Sequence, residues 1–347
     1  MECRSVIVVG GSAGAVEPLQ ELVGGLPREL AAAVCVVLHL GNRQSLLPEL
    51  FSRLGSLSAS WATDGDPLQP GRIFVAPPDH HLLVMPGHLR ISRGPRENGT
   101  RPAVDPLFRS AAEAYGPVVI GVILSGMLGD GTAGFSAIKR RGGTTVVQDP
   151  KDAQYPSMPL TALSSVSVDY CVPASGMPGL LARLVESRTS AAATPLSLRP
   201  VQSQPIKEGT EVEDDYQLGD PVALTCPECG GALKESRMDS LPYYTCHIGH
   251  RYAGPDMDEA QFRMMEQALA IALRALNERA ALCQRLAASA EQKSQALSAQ
   301  RWSAARQEIK TRAEVLEQFI QQKWPRPSSI ADDQDELMAD NNLRQPE

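Results

Sequence analysis

The sequence predicts an α/β fold: a doubly wound, mostly parallel sheet with helices on both faces, followed by a small cysteine-containing module and a C-terminal helical hairpin. Three observations carry this. Between residues 4 and 187, short and nearly continuous apolar runs alternate with helical stretches, as strands buried on both faces require. Residues 188–220 then turn to Ser, Thr, Ala and Pro, followed by acidic residues, a composition that cannot bury much apolar surface. Finally, no Pro or Gly interrupts the chain between Pro255 and Pro325, so long helices are unopposed there.

In chain order, residues 6–9 form a buried strand and 15–23 a helix, a pair repeated by 34–38 and 46–54. Residues 72–75 are another strand, and 81–91 a hairpin turned at Met85-Pro86-Gly87-His88. A helix over 104–115, a strand over 118–124, a helix over 133–141, a strand over 144–147 and a helix over 177–186 complete the sheet region. In the C-terminal part, Phe262, Met265, Leu269, Leu273, Leu276 and Ala280 recur at helical spacing, and Trp302, Ile309 and Leu316 form a seven-residue series. Two helices packed as a hairpin or coiled coil follow, with the break between them in the polar stretch 289–298. The expected organisation is a large α/β domain over 1–187, a flexible linker over 188–220, a cysteine module over 221–254, helices over 255–325 and a disordered tail over 326–347.

Composition narrows the function. The 347 residues carry a formal net charge of −7, which argues against a protein that grips nucleic-acid phosphates. No long uncharged apolar run marks a membrane span, and Met-Glu-Cys-Arg at the start lacks the layout of a signal peptide. Seven cysteines, an odd number with three of them clustered late, fit a reducing compartment and a metal site better than a disulfide framework. A cytoplasmic location is expected.

Gly10-Gly11-Ser12-Ala13-Gly14 fits G-x-S-x-G at a strand-to-helix turn. Glycines let the backbone turn sharply, so the serine oxygen projects from the sheet end. The helix start behind it offers free N–H groups to a developing oxyanion. A phosphate-binding loop is the competing reading of such a turn. The dinucleotide fingerprint would need glycines where Ser12 and Ala15 stand, and no Gly-Lys-Ser/Thr follows. His39 ends the second strand, and Asp130 lies in Ser125-Gly126-Met127-Leu128-Gly129-Asp130-Gly131, just after the apolar strand that ends at Leu124. Alone, either could be structural: a hydrogen-bonded histidine, or Asp-Gly turn chemistry. Together with Ser12 they follow the C-terminal ends of three strands, which in a parallel sheet lie along one edge, where ligands bind. The order Ser, His, Asp differs from the α/β-hydrolase order, and triads recur on differently wired sheets. His80, His81 and His88 suit structural or surface roles.

Residues 4–187 resemble the catalytic domain of the chemotaxis-type protein-glutamate methylesterases (the CheB type). The resemblance runs through ordered blocks: Gly-Gly-Ser-Ala-Gly at 10–14, Leu38-His39-Leu40, Asp64-Gly65-Asp66, Ile-Phe-Val-Ala-Pro-Pro-Asp at 73–79, Arg101-Pro102-Ala103-Val104-Asp105, 121–131, and 149–163 with its Pro-Ser-Met-Pro stretch. It implies hydrolysis of glutamyl methyl esters on methylated chemoreceptors or related signalling proteins, with deamidation of glutamines in many members and no catalytic cofactor. It makes Ser12 the nucleophile, His39 the base and acid, and Asp130 the group that orients the imidazole, with an oxyanion hole near the N–H groups of Ala13 and Met127. Two positions depart from the pattern. Ala13, Gly14 and Ala15 stand where relatives have a polar residue and two glycines, and Thr100 stands where many have a histidine. Both line the expected mouth of the site and bear on its substrate. A serine hydrolase with another substrate, and an idle signalling scaffold, are the competing readings. Many members begin with a phosphorylatable receiver domain, whereas here the first strand starts within a few residues of Met1, so a stand-alone member is expected.

Cys226-Pro-Glu-Cys229-Gly-Gly and Cys246-His247-Ile248-Gly249-His250 are two facing knuckles. Four soft ligands of this kind suit tetrahedral, structural zinc in a zinc-ribbon-like module, with His250 as fourth ligand and His247 as the alternative. Such a tail occurs on some stand-alone relatives. The helices are expected to pack on themselves or on another copy, and module and helices together could form an arm that docks to a partner.

Overall fold

The computed structural model describes residues 5–39, 45–191, 221–238, 241–322 and 324. The expected linker, apart from its first residues, and the expected tail lie outside these. The first strand, β1 (Ser5–Gly11), leads into α1 (Val16–Gly24), and β2 (Ala32–Leu38) into α2 (Leu47–Leu54). The edge strand β3 (Ser58–Trp61), then β4 (Arg72–Val75), and the hairpin of β5 (His81–Met85) and β6 (His88–Ser92) follow. Next come α3 (Val104–Tyr115), β7 (Val119–Ile123), α4 (Thr132–Arg140), β8 (Thr144–Gln148), α5 (Ser157–Ser165), β9 (Tyr170–Val172) and α6 (Met177–Ala191).

Seven strands form one sheet in the order β3-β4-β2-β1-β7-β8-β9, and every pairing is parallel. Strand alternation divides the core into two layers. Val6 and Val8 of β1, with Cys35 and Val37 of β2, face Leu107 and Phe108 of α3 and Phe135 of α4. Ile7 and Val9, with Val34 and Val36, face Leu19 and Leu22 of α1, Phe51 of α2 and Leu181 of α6. Each such side chain contributes about 1.5–3 kcal/mol by leaving water. On the first face α3 and α4 approach closely: a Cβ at Gly134 would stand 2.4 Å from the Cβ of Phe108, so only glycine lets the helices meet there.

Order 2-1-7 places β1 between the strand that follows it and the strand reached after α3. That reversal is where open parallel sheets bind ligands. Ser12, His39 and Asp130 all lie just beyond the C-terminal ends of these three adjacent strands.

The cysteine module is a four-stranded antiparallel sheet of β10 (Pro221–Thr225), β11 (Ala232–Met238), β12 (Leu241–Cys246) and β13 (Arg251–Ala253). It belongs to the same compact unit as the large sheet. Tyr243 and Ala253 pack on Ala133 of α4, and the Asn98 backbone N–H donates to the carbonyl of Arg251 at 2.8 Å. The module is therefore seated against α4 of the large sheet's first face. The helix α7 (Gly254–Gln292) starts at the end of β13, with Pro255 in its first turn, where the missing N–H costs nothing.

A second compact unit begins at Asp258 and is made of the rest of α7 and of α8 (Ala296–Gln321). The helices break at residues 293–295, inside the expected stretch, with Ser294 at φ 56°. Ala280, Cys283 and Ile309 form their buried contact, flanked by Leu276 and Ala305.

Candidate active site and metal centre

Ser12 occupies the turn between β1 and α1. Its backbone N–H donates to the carbonyl of Ser125 at 3.0 Å, which ties the serine turn to the loop after β7. The His39 backbone N–H donates to the Gly11 carbonyl at 3.3 Å. These bonds fix the two side chains side by side, with His39 Nδ1 3.2 Å from Ser12 Oγ. The other ring nitrogen, Nε2, lies 2.8 Å from Asp130 Oδ2. A carboxylate can only accept, so Nε2 carries the proton and Nδ1 is free to receive that of Ser12.

Asp130 is 2% exposed and saturated with donors. Oδ2 also accepts the Val104 N–H at 2.7 Å, and Oδ1 accepts the Asp105 N–H at 3.1 Å and the Asn98 amide at 2.9 Å. Val104 and Asp105 open α3, so the carboxylate caps that helix and meets the positive end of its dipole. Burial alone would raise its pKa. The His39 hydrogen bond and charge, the Val104 N–H and the Asn98 amide outweigh burial and hold it low.

Asp105 returns the favour to α4. Its Oδ1 accepts the N–H groups of Gly131 and Gly134 at 3.1 and 2.7 Å, and its Oδ2 accepts the Asn98 amide at 2.9 Å. Burial, then the neighbouring Asp130 charge, push the Asp105 pKa up to about 7. A third carboxyl, Asp256 in the first turn of α7, is 3% exposed beside Gly129. Burial, then Asp130 and Asp105, raise it well above the ordinary carboxylate value.

Around the serine, neither Ala13 nor Met127 donates its backbone N–H within the described residues. Met127 is 55% exposed at the rim. Thr100 Oγ1 lies 3.3 Å from His39 Nε2 while donating to the Glu97 carbonyl at 3.2 Å. The other histidines have structural partners: His81 bridges the Pro95 carbonyl and the Ala103 N–H, and His80 bonds the Pro78 carbonyl.

Comparison with known proteins gives one family pattern, two relatives and one solved structure. The CheB methylesterase pattern matches residues 7–181. The chain belongs to the CheB methylesterase family. A Leptospira interrogans relative, named for protein-glutamate methylesterase and protein-glutamine glutaminase, is 35% identical over 180 residues, which are 51% of this chain and 93% of the relative. A Methanosarcina mazei protein-glutamate methylesterase/protein-glutamine glutaminase is 33% identical over 192 residues, and this chain spans only 52% of its length. The crystal structure of the Thermotoga maritima CheB methylesterase catalytic domain superposes with a TM-score of 0.50 at 31% identity, covering 52% of this chain and 98% of that one. The CheB match makes this chain a homologue of protein-glutamate methylesterases, which are serine hydrolases.

The matched region ends at residue 181, so the cysteine module lies outside it. Cys226, Cys229, Cys246 and His250 bring their ligand atoms within 4.8 Å of one another. Cys226 Sγ and Cys246 Sγ lie 3.6 and 3.5 Å from His250 Nδ1, and Cys229 Sγ lies 3.7 Å from Cys246 Sγ. Tetrahedral bonds of zinc length give edges of about 3.5–3.8 Å, which these three separations match, and three thiolates with one imidazole are a donor set that suits such an ion. Two matching turns build it. Gly230 and Gly249, at φ 70° and 100°, return their N–H groups to the carbonyls of Cys226 and Cys246 at 2.8 and 3.0 Å. His247 is exposed, stands over Gly231, and is not one of the four.

Sequence reasoning missed Asn98 and Asp256, read Asp105 only as part of the family pattern, and read Thr100 only as a departure from it at the mouth of the site. Asn98-Gly99 had a legible signal: both have positive φ, 51° and 70°, as a tight hairpin turn between Glu97 and Thr100 requires.

Proposed function

We propose that the chain hydrolyses glutamyl methyl esters on methylated chemoreceptors or related signalling proteins, with Ser12, His39 and Asp130 as its triad. The continuous hydrogen-bond path from Ser12 Oγ through His39 to Asp130 carries this reading, and family membership supplies the substrate class. Ser12 Oγ attacks the ester carbonyl carbon as His39 Nδ1 takes its proton. The carbonyl oxygen becomes an oxyanion, which the N–H groups of Ala13 and Met127 receive. Collapse breaks the bond to the methoxy oxygen, which leaves as methanol with the proton from Nδ1. Water then attacks the acyl-serine carbonyl as Nδ1 takes one of its protons; collapse breaks the bond to Ser12 Oγ, Nδ1 returns the proton to Oγ, and the glutamic acid side chain is released. With a glutamine amide the same steps would release ammonia.

Asp130 holds the imidazole in the required tautomer and stabilises the imidazolium. The four-ligand cluster leaves no position open for water, so the metal in this reading is structural zinc. Among the described residues no helix is long and apolar enough to cross a membrane, and free cysteines fit a cytoplasmic site. Leu282, Leu297, Val315 and Phe319 are exposed on the C-terminal helices, which suits self-association there. A fluorophosphonate probe tests the core of the reading: labelling that Ser12→Ala abolishes supports it, and labelling that survives Ser12→Ala contradicts it.

A further inference from the structure

The triad of that reading is not built by the catalytic domain alone. Asn98 has four polar partners, two on each side. Its backbone N–H donates to the Arg251 carbonyl at 2.8 Å, and its Oδ1 accepts the Ala253 N–H at 3.0 Å. Both partners are in β13 of the cysteine module. Its Nδ2 donates to Asp130 Oδ1 and to Asp105 Oδ2, each at 2.9 Å. The amide cannot be reversed, because its NH₂ would then face the Ala253 N–H and its oxygen two carboxyl groups.

The turn that carries Asn98 is held from the same side. Glu97, 8% exposed, pairs with Arg109 of α3 at 2.7 Å, lies 3.9 Å from Arg251 Nη1, and accepts Tyr243 Oη of β12 at 3.4 Å. On the far side of the turn, Thr100 reaches His39. The strand β13 starts at the residue after His250, and β12 ends at Cys246, so two of the four metal-site residues frame the segment that holds Asn98.

We propose that the metal-bearing module is a positioning element of the active site, with Asn98 as the positioning residue that passes its seating to Asp130. A module this small lacks the core to hold its strands without a crosslink or metal. Metal therefore sets β13, β13 sets the Asn98 amide, and the amide supplies one of the bonds that orient Asp130 against His39. Metal loss is felt at Ser12 although no ligand touches the triad.

This inference rests on the triad reading, and one experiment on the full chain separates the two. The rate of Ser12 labelling by a fluorophosphonate, kcat and KM for a methylated receptor, and zinc affinity against a chelating dye are measured in the wild type, Asn98→Ala and Asn98→Asp. Removing zinc from the wild type is expected to slow labelling about 10- to 100-fold, the usual consequence of losing a partner that orients a site residue, and restoring zinc to recover it. Zinc-loaded Asn98→Asp keeps the acceptor for Ala253 but loses the donor to Asp130, so its kcat falls by a similar factor with KM held. Asn98→Ala is slow with or without zinc and, because coupling is reciprocal, binds zinc more weakly. Labelling of the wild type that is indifferent to zinc, or a kcat in zinc-loaded Asn98→Asp equal to wild type, overturns the coupling alone. A zinc-loaded wild type that is not labelled at Ser12 overturns the triad reading and the coupling with it.

Discussion

His39 turns Nδ1, 3.2 Å away, to Ser12 Oγ and leaves Nε2 for the carboxylate. The proton that must sit on Nε2 is held there by a group that only accepts. Asp130→Asn would place an amide NH₂ against Nε2 and Val104, or against Asn98 and the Asp105 N–H, all of them donors in the present structure. The expected result is a fall in kcat of about 10⁴-fold, the size seen when a triad imidazole is forced into the wrong tautomer. Steady-state methanol release, with circular dichroism to verify folding, checks it.

The three buried carboxyls make stability depend on pH. Asp105 and Asp256 have folded-state pKa values above the ordinary 3.8, Asp105 at about 7. Above the ordinary value the folded state binds more protons than the unfolded chain, so their contribution is full below about pH 4 and is lost as pH rises through the folded-state values, about 7 for Asp105. Asp130 runs the other way: its lowered pKa gives stability present above about pH 4 and lost on acidification. Asp256 Oδ2 has no hydrogen-bond partner, so Asp256→Asn removes a buried charge at little cost. Urea unfolding is expected to show the variant more stable than wild type at about pH 8, with the gain shrinking towards about pH 4.

Metal removal should destabilise more than the module. Because β13 and α4 share a buried contact through Ala253 and Ala133, chelation is expected to lower the unfolding temperature of the catalytic layer by several degrees. Cys229→Ser should do the same, and added zinc should restore only the wild type. Differential scanning calorimetry checks both.

Gly126 presses against the site. A Cβ there would stand 2.2 Å from Met158 Sδ and 3.0 Å from Ser12 Cβ. Gly126→Ala is expected to cost about 1–3 kcal/mol, the range for overpacking, and to slow probe labelling by displacing the serine.

The sheet was legible where strands are buried on both faces, since continuous apolar runs such as Val6-Ile7-Val8-Val9 leave little alternative. The strand Ser58–Trp61 escaped because it is a polar, half-exposed edge, and Tyr170–Val172 because it has three residues. The helix Ser157–Ser165 escaped because Pro159 lies in its first turn, where a proline reads as a breaker but is tolerated. The candidate site was legible for a similar reason: Ser12, His39 and Asp130 each follow a recognisable strand. Asn98 and Asp256 were not, because their roles come from contacts between segments far apart in sequence, such as Asn98 with Ala253 and Asp256 with Gly129, and no local pattern records such a pairing.

The most direct measurement is methanol release from a methylated chemoreceptor preparation by the 347-residue chain, with Ser12→Ala beside it. The account requires release by the wild type and its loss in Ser12→Ala. Release that persists in Ser12→Ala, or a wild type that takes the fluorophosphonate at Ser12 yet releases no methanol from any methylated receptor, would contradict it.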